Sequence, residues 1–153
     1  GVSPGERSSK DCGHVRKLGQ ARGVAMKVKG LNGRTYNWKL KSTPSSAPSS
    51  FHKRARALLT ILFPSEPRLE ELVIPGSKSL RCDFYLPISN VVVEVHGEQH
   101  YKFTPRFHGT PLGFLQACQR DQNKIEWCQL NGIKFVELPH YETDDEWRKR
   151  FDA

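Results

Sequence analysis

The order of elements in this sequence predicts an α/β protein, a mixed sheet flanked by helices, with a basic N-terminal arm that carries a β-hairpin. Three observations carry that expectation. From residue 51 onward the chain reads as helix, three strands, helix, strand, helix. The run Val91–Val95 sets four β-branched residues around one carboxylate, Glu94. The charge is one-sided: residues 1–50 hold ten Lys and Arg against Glu6 and Asp11, while residues 51–153 hold fourteen of each sign.

A chain of 153 residues is long enough for one core with an appendage. The composition divides it into a basic arm and hairpin at 1–41, a linker at 42–50 and a core domain at 51–153. A basic arm on a neutral body is the electrostatic footprint of a nucleic-acid binder. No apolar run approaches the roughly 18 residues of a membrane span, and no charged-then-apolar leader opens the sequence. The expected setting is therefore the cytoplasm, with no membrane partner. The four cysteines form no CxxC pair. Cys118 and Cys128, ten apart on one helix, stand about 15 Å apart along its axis, too far for a disulfide. They read as reduced thiols, and Cys12 with His14 lacks the second pair that a zinc site needs.

Residues 1–20, rich in Gly, Ser, Lys and Arg, read as irregular. Asn32-Gly33 between two strand-like runs predicts a hairpin. Tyr36 and Trp38 share one face of it, ringed by Lys27, Lys29, Arg34, Lys39 and Lys41. Those rings either stack on nucleic acid or pack the hairpin onto the core. Ser42–Ser50 alternates Ser and Pro and reads as a linker, with Ser49 or Ser50 capping the next helix. That helix spans about 51–63, with Ala55, Leu58, Leu59 and Leu62 inward. His52, Lys53, Arg54 and Arg56 lie in its first two turns, where the helix dipole disfavours cations. An anionic partner such as phosphate is expected.

Pro64 and Pro67 end the helix. Strands follow at about 69–74, 79–86 and 90–96. Residues 97–115 read as a long loop bearing His100, Tyr101, Lys102, Phe103, Arg106, Phe107 and His108, a mix suited to substrate contact. A helix is expected over about 114–131, with Leu115, Cys118, Ile125, Cys128 and Gln122 or Gln129 inward, stopped at Asn131-Gly132. A strand follows at 133–138. Thr143-Asp-Asp-Glu146 predicts a capping box that opens a final helix.

A carboxylate inside Val91–Val95 costs several kcal/mol if buried and unpaired, and a metal ion is a natural compensation. Two antiparallel strands would bring Asp83 to the same sheet end as Glu94. His96 shares Glu94's face. Mg²⁺ needs one or two carboxylates and keeps several waters, so Asp83 and Glu94 suffice to anchor it, with Mn²⁺ substituting. A neutral His96 or His100 would take a proton from water. Lys124 would reach back from its helix to stabilise charge, and His52 would contact phosphate or polarise a nucleophile.

These residues resemble the PD-(D/E)XK nuclease superfamily, with a restriction-endonuclease-like core over roughly residues 50–150. Asp83…Glu94-Val95-His96 matches its metal-binding strands, with His96 at the usual Lys position. More narrowly, Asp83–Pro87, Val93–Tyr101, Arg120–Lys124 and Asn131–Glu137 resemble the Vsr-like branch of mismatch and homing endonucleases, described by an E-D-x-H-D pattern. On that pattern Asp83 corresponds to the metal-binding Asp, His100 (or His96) to the His, and Asp121 to the final Asp. The leading Glu has no match, and His52 stands near its place. The resemblance implies a Mg²⁺-dependent DNA endonuclease of a prokaryotic or phage-infected cell, with Asp83, Glu94, His96, His100, Asp121, Lys124 and His52 around the reaction. Lys27, Lys29, Arg34, Tyr36, Trp38, Lys39, Lys53, Arg54, Lys102 and Arg106 are the expected DNA contacts. The alternatives are a non-catalytic nucleic-acid-binding protein on the same scaffold and an RNA nuclease.

Overall fold

In the computed structural model, residues 25–77 and 80–152 are described. The irregular arm at 1–20, the Cys12–His14 pair and the expected strand start at Ser79 lie outside them. Strands β1 (Ala25–Lys29) and β2 (Thr35–Lys39) form the Asn32-Gly33 hairpin, paired antiparallel. A second sheet has the order β3-β4-β5-β6, from β3 (Leu69–Val73), β4 (Arg81–Leu86), β5 (Val91–His96) and β6 (Lys134–Pro139). It is mixed: β3–β4 and β4–β5 are antiparallel and β5–β6 parallel. Helix α1 (Ser50–Leu62) precedes β3, α2 (Pro105–His108) and α3 (Pro111–Leu130) connect β5 to β6, and α4 (Asp144–Arg150) follows.

Each helix start has a local cause. Ser49 caps α1 by accepting from the His52 amide. Thr143 and Glu146 form the expected capping box of α4. The expected loop at 97–115 is shorter and more ordered than the composition suggested. A 3₁₀ turn occupies Glu98–His100, and both Thr104-Pro105 and Thr110-Pro111 start helices. A threonine followed by proline at the first helical position is an N-terminal signal, and it moves the start of α3 from 114 to 111.

Two apolar clusters lie on opposite faces of the sheet. On one, Ala55, Leu58 and Leu59 of α1 and Trp147 of α4 meet Phe84, Leu86, Val91, Val93, Val136 and Leu138. On the other, Trp127 and Cys128 of α3 and Val28 and Trp38 of the hairpin meet Leu72, Cys82, Tyr85 and Val92. The inward face of α3 thus runs through Trp127 and Cys128. Leu115, Gln122 and Gln129 are exposed.

The hairpin is built into this second cluster. Trp38 is 1% exposed. Its indole N–H donates to the Val73 carbonyl at 2.8 Å, and its ring meets Tyr85 and Trp127 at 4.6 and 5.0 Å. Tyr36 packs against Gly30 and Gly76, whose backbones approach so closely that a Cβ on Gly76 would stand 2.6 Å from the Gly30 Cα. Both rings therefore take the packing alternative. A fully buried Trp38 has no face to offer a base, which corrects its expected nucleic-acid contact.

The stretch 42–50 is also more than a spacer. Ser42 Oγ accepts from the Glu70 amide at 2.8 Å, and the Thr43 amide donates to the Glu70 carbonyl at 2.8 Å. The segment runs as a strap along the free edge of β3. We predict that Trp38→Ala costs about 3–5 kcal/mol in urea denaturation of the whole chain, in a single transition. A loss under 1 kcal/mol would mean that the hairpin is dispensable to the core.

Candidate functional site

Strict alternation along β3 and β4 fails at one place, and the site is there. Tyr85 and Leu69 face α3, and Phe84 and Glu70 face α1. Two residues further on, Cys82 and Leu72 face α3 again. Glu71 and Asp83 sit at this reversal, and Glu71 has φ 55°. A left-handed non-glycine backbone costs about 1 kcal/mol or more and needs surrounding bonds to hold it. Here Thr43 Oγ1 and Arg81 Nη1 donate to the Glu71 carbonyl at 3.0 and 3.2 Å.

At the same level the β4–β5 ladder ends, with Phe84–Val93 its last pair toward this end. Beyond it, side chains replace backbone partners. Glu94 Oε2 accepts from the Asp83 amide at 2.7 Å, and Asp83 Oδ2 accepts from the Val95 amide at 2.8 Å. Asp83 and Glu94 thus meet as the sequence suggested.

Glu94 is 2% exposed. Its other oxygen, Oε1, accepts from Lys124 Nζ at 2.7 Å and lies 3.8 Å from His96 Nε2. Burial alone pushes this carboxyl up, but His96, Lys124 and the Asp83 amide together hold it below the ordinary range. Asp83 has the opposite fate. Burial and then the charge of Glu94 push its carboxyl up to about 8. Asp83 keeps one oxygen, Oδ1, with no protein donor among the described residues, so it is the better placed of the two for a cation.

The two histidines separate. His96 is 4% exposed and lies between Glu94 and Glu137, 3.5 Å from Glu137 Oε2. Burial lowers its pKa, but the carboxylates of Glu137 and Glu94 on either side reverse this and push it up to about 9, while its buried Nε2 makes no hydrogen bond. An imidazolium has no lone pair, so His96 does not serve as the expected proton acceptor at neutral pH. Glu137 is held down at about 2, first by His96. His100 is half-buried, and its Nδ1 is 2.8 Å from Asp121 Oδ2. Asp121 and Lys124, three apart on α3, thus serve different partners, His100 and Glu94.

His96 stacks on His100 with centroids 3.9 Å apart and planes 1° from parallel. With Asp121 they form one of two clusters with ligand atoms close enough to share an ion. Parallel stacked rings point their in-plane lone pairs along separate planes, so one ion cannot lie in both. The other cluster is His52, Glu71 and Asp83.

Two clefts meet at Asp83, Gln99, His100 and Lys124. One, about 350 Å³, continues under the strap residues Ser45, Pro48 and Ser49 to His52 and Glu71. The other, about 470 Å³, continues past Arg81, Phe107, Arg120 and Asp121. Lys27, Lys29, Arg34, Lys39, Lys53, Lys102 and Arg106 are exposed but line neither cleft. Arg54 is committed internally. It bonds Asp144 and the Glu142 carbonyl and lies 3.6 Å from the Trp147 ring centroid. The anions that Arg54 and Arg56 meet are thus the carboxylates Asp144 and Glu70, not phosphate.

Sequence reasoning missed Glu71, Glu137 and the strap as site components. Glu137 carried a readable signal: Val136-Glu137 repeats Val93-Glu94, and parallel pairing sets Glu137 beside Glu94.

Fold and site define an α/β protein, a mixed sheet flanked by helices, with a buried acidic cluster where two strands splay. Its relatives are viral. The chain is 36% identical over 69 residues to uncharacterized protein 307L of Invertebrate iridescent virus 6, covering 45% of this chain and 35% of that one. It is 28% identical over 101 residues to uncharacterized protein 033L of Invertebrate iridescent virus 3, covering 65% and 52%. To uncharacterized protein 094L of Frog virus 3 (isolate Goorha) it is 33% identical over 70 residues, 45% of each chain. The chain spans about a third to a half of the length of these relatives. No family model and no solved structure matches it. Among the described residues, no helix is long and apolar enough to cross a membrane.

The Glu94–Lys124 pair gives a direct test of the site's architecture. Lys124→Met leaves a buried carboxylate without its ammonium and should cost about 3 kcal/mol in urea denaturation. Adding Glu94→Gln should recover at least about 1 kcal/mol of that loss; strictly additive losses would refute the coupling.

Proposed function

We propose that this chain is a metal-dependent endonuclease that hydrolyses phosphodiester bonds in DNA. The observation that carries this is Asp83, which stands where two clefts meet, with one oxygen lacking a protein donor, beside Lys124 and the His100–Asp121 pair. The donor set fits a hard divalent cation such as Mg²⁺. It offers carboxylate oxygens, and burial and the charge of Glu94 push the Asp83 carboxyl up to about 8, with the nearby Lys124 ammonium offsetting only part of that rise. Asp83 would hold the ion, with Glu94 behind it. Such an ion, when bound, supplies Lewis-acid charge and a water of lowered pKa.

The chain's own groups supply the rest. Asp121 holds His100 Nδ1, which leaves Nε2 to accept a proton from the attacking water. Lys124 meets Glu94 with one N–H and has others for a phosphoryl oxygen. Arg81 and Arg120 are exposed along the larger cleft and suit the flanking phosphates. The exposed cations of the hairpin and the net charge of +8 add attraction that salt weakens. With relatives in viruses of invertebrates and frogs, an infected animal cell is the proposed setting in place of a phage-infected one.

The test is cleavage of supercoiled plasmid and of matched RNA, with Mg²⁺, Mn²⁺ or EDTA. The wild-type chain should cut DNA with either metal and not with EDTA. Asp83→Asn should fall to background while gel-shift affinity for DNA stays within about threefold, as expected when phosphate contacts made elsewhere dominate binding. DNA bound but never cut would contradict the proposal and favour the non-catalytic reading. Cutting of RNA alone would move the substrate to RNA.

A further inference from the structure

We infer that the ion of this site is held by Asp83, Glu71 and His52 together, and that the imidazole makes it a site for Mn²⁺-like ions in preference to Mg²⁺. This rests on the reading of Asp83 as a cation ligand and departs from an all-oxygen site.

One potential ligand atom from each of His52, Glu71 and Asp83 lies within 4.8 Å of the others, and all three residues line the smaller cleft. Two carboxylates and a neutral imidazole balance a divalent charge. His52 is 7% exposed, so its orientation is set by protein. Its ring stacks on Phe84 at 4.4 Å and 23°, and its Nε2 is 3.0 Å from Glu70 Oε1.

Glu70 cannot yield, because Arg56 holds both its oxygens at 2.8 and 3.0 Å and Arg68 adds a bond at 3.2 Å. The ring is therefore fixed through one nitrogen, and Nδ1 has no protein partner among the described residues. A carboxylate that orients an imidazole through its second nitrogen is the outer-shell arrangement of metal-binding histidines. A purely structural His52 would have no need to present its other nitrogen to a cleft that also holds two carboxylates.

Glu71 reaches that cleft from a left-handed backbone, pinned by Thr43 of the strap and by Arg81. The strain and the strap both act on the residue that completes the set. Imidazole nitrogen suits first-row transition ions, whereas Mg²⁺ favours oxygen ligands and retains water.

The test is Mn²⁺ and Mg²⁺ binding to the full chain without nucleic acid, by calorimetry, with pulsed electron paramagnetic resonance of bound Mn²⁺. Wild type should bind Mn²⁺ at least about tenfold more tightly than Mg²⁺ and show ¹⁴N modulation from a directly bound nitrogen. His52→Ala should lose the modulation and about tenfold or more in Mn²⁺ affinity, with Mg²⁺ affinity nearly unchanged. Should His52→Ala fail to fold, His52→Phe keeps the stack on Phe84 and must show the same loss. Wild-type Mn²⁺ without ¹⁴N modulation, or modulation that survives the loss of His52, overturns the inference. Cleavage without nitrogen coupling would sink this ligand set and leave the nuclease reading standing. Nitrogen coupling without cleavage of DNA or RNA would do the reverse.

Discussion

A buried carboxylate, Glu94, is the constraint around which this fold is arranged. Placing it among valines is costly unless every lone pair facing the protein finds a donor. Lys124 donates from α3 and the Asp83 amide from β4, while the His96 ring, two residues further along β5, stands 3.8 Å from the carboxylate without a hydrogen bond to it. Three elements are tied by one side chain. The bond to the Asp83 amide also takes the place of a ladder bond, so β4 and β5 separate there with the Asp83 and Val95 amides satisfied by side chains. That separation opens the clefts and brings Asp83 to their junction.

A second buried carboxylate, Glu70, organises the neighbouring wall. Arg56, Arg68 and His52 converge on it, joining α1 to β3. Its amide and carbonyl bond the strap. The free edge of β3 is thereby covered, and the strap becomes one side of the smaller cleft. Glu94 braces the sheet toward α3, and Glu70 braces it toward α1. Glu71 and Asp83 lie at the reversal between them.

Much of this was legible in the sequence, for local reasons. The valine run, the Asn32-Gly33 turn, the Ser49 cap and the Thr143–Glu146 box each act within a few residues, and each element followed. Asp83 and Glu94 were legible because a carboxylate in a β-branched run demands a partner and a hairpin of strands offers one. What was hidden depends on contacts distant in sequence. Trp38 is buried only because Tyr85 and Trp127 arrive from β4 and α3. Arg54 looked available for phosphate until α4 supplied Asp144. His96 looked like a base until parallel pairing set Glu137 beside Glu94, two carboxylates that raise its pKa to about 9. The left-handed conformation of Glu71 has no signature in Leu69–Val73, where glycine would have been the usual residue.

The central claim is that the Asp83 end of the splayed strands holds a cation against a phosphodiester. The most direct measurement is a crystal structure of the chain with a short DNA duplex and Mn²⁺, located by its anomalous scattering. The account predicts a peak about 2–2.5 Å from an Asp83 carboxylate oxygen, with a DNA phosphate oxygen in the same coordination shell. A peak elsewhere, or DNA seated away from the two clefts with Asp83 unliganded, would contradict it.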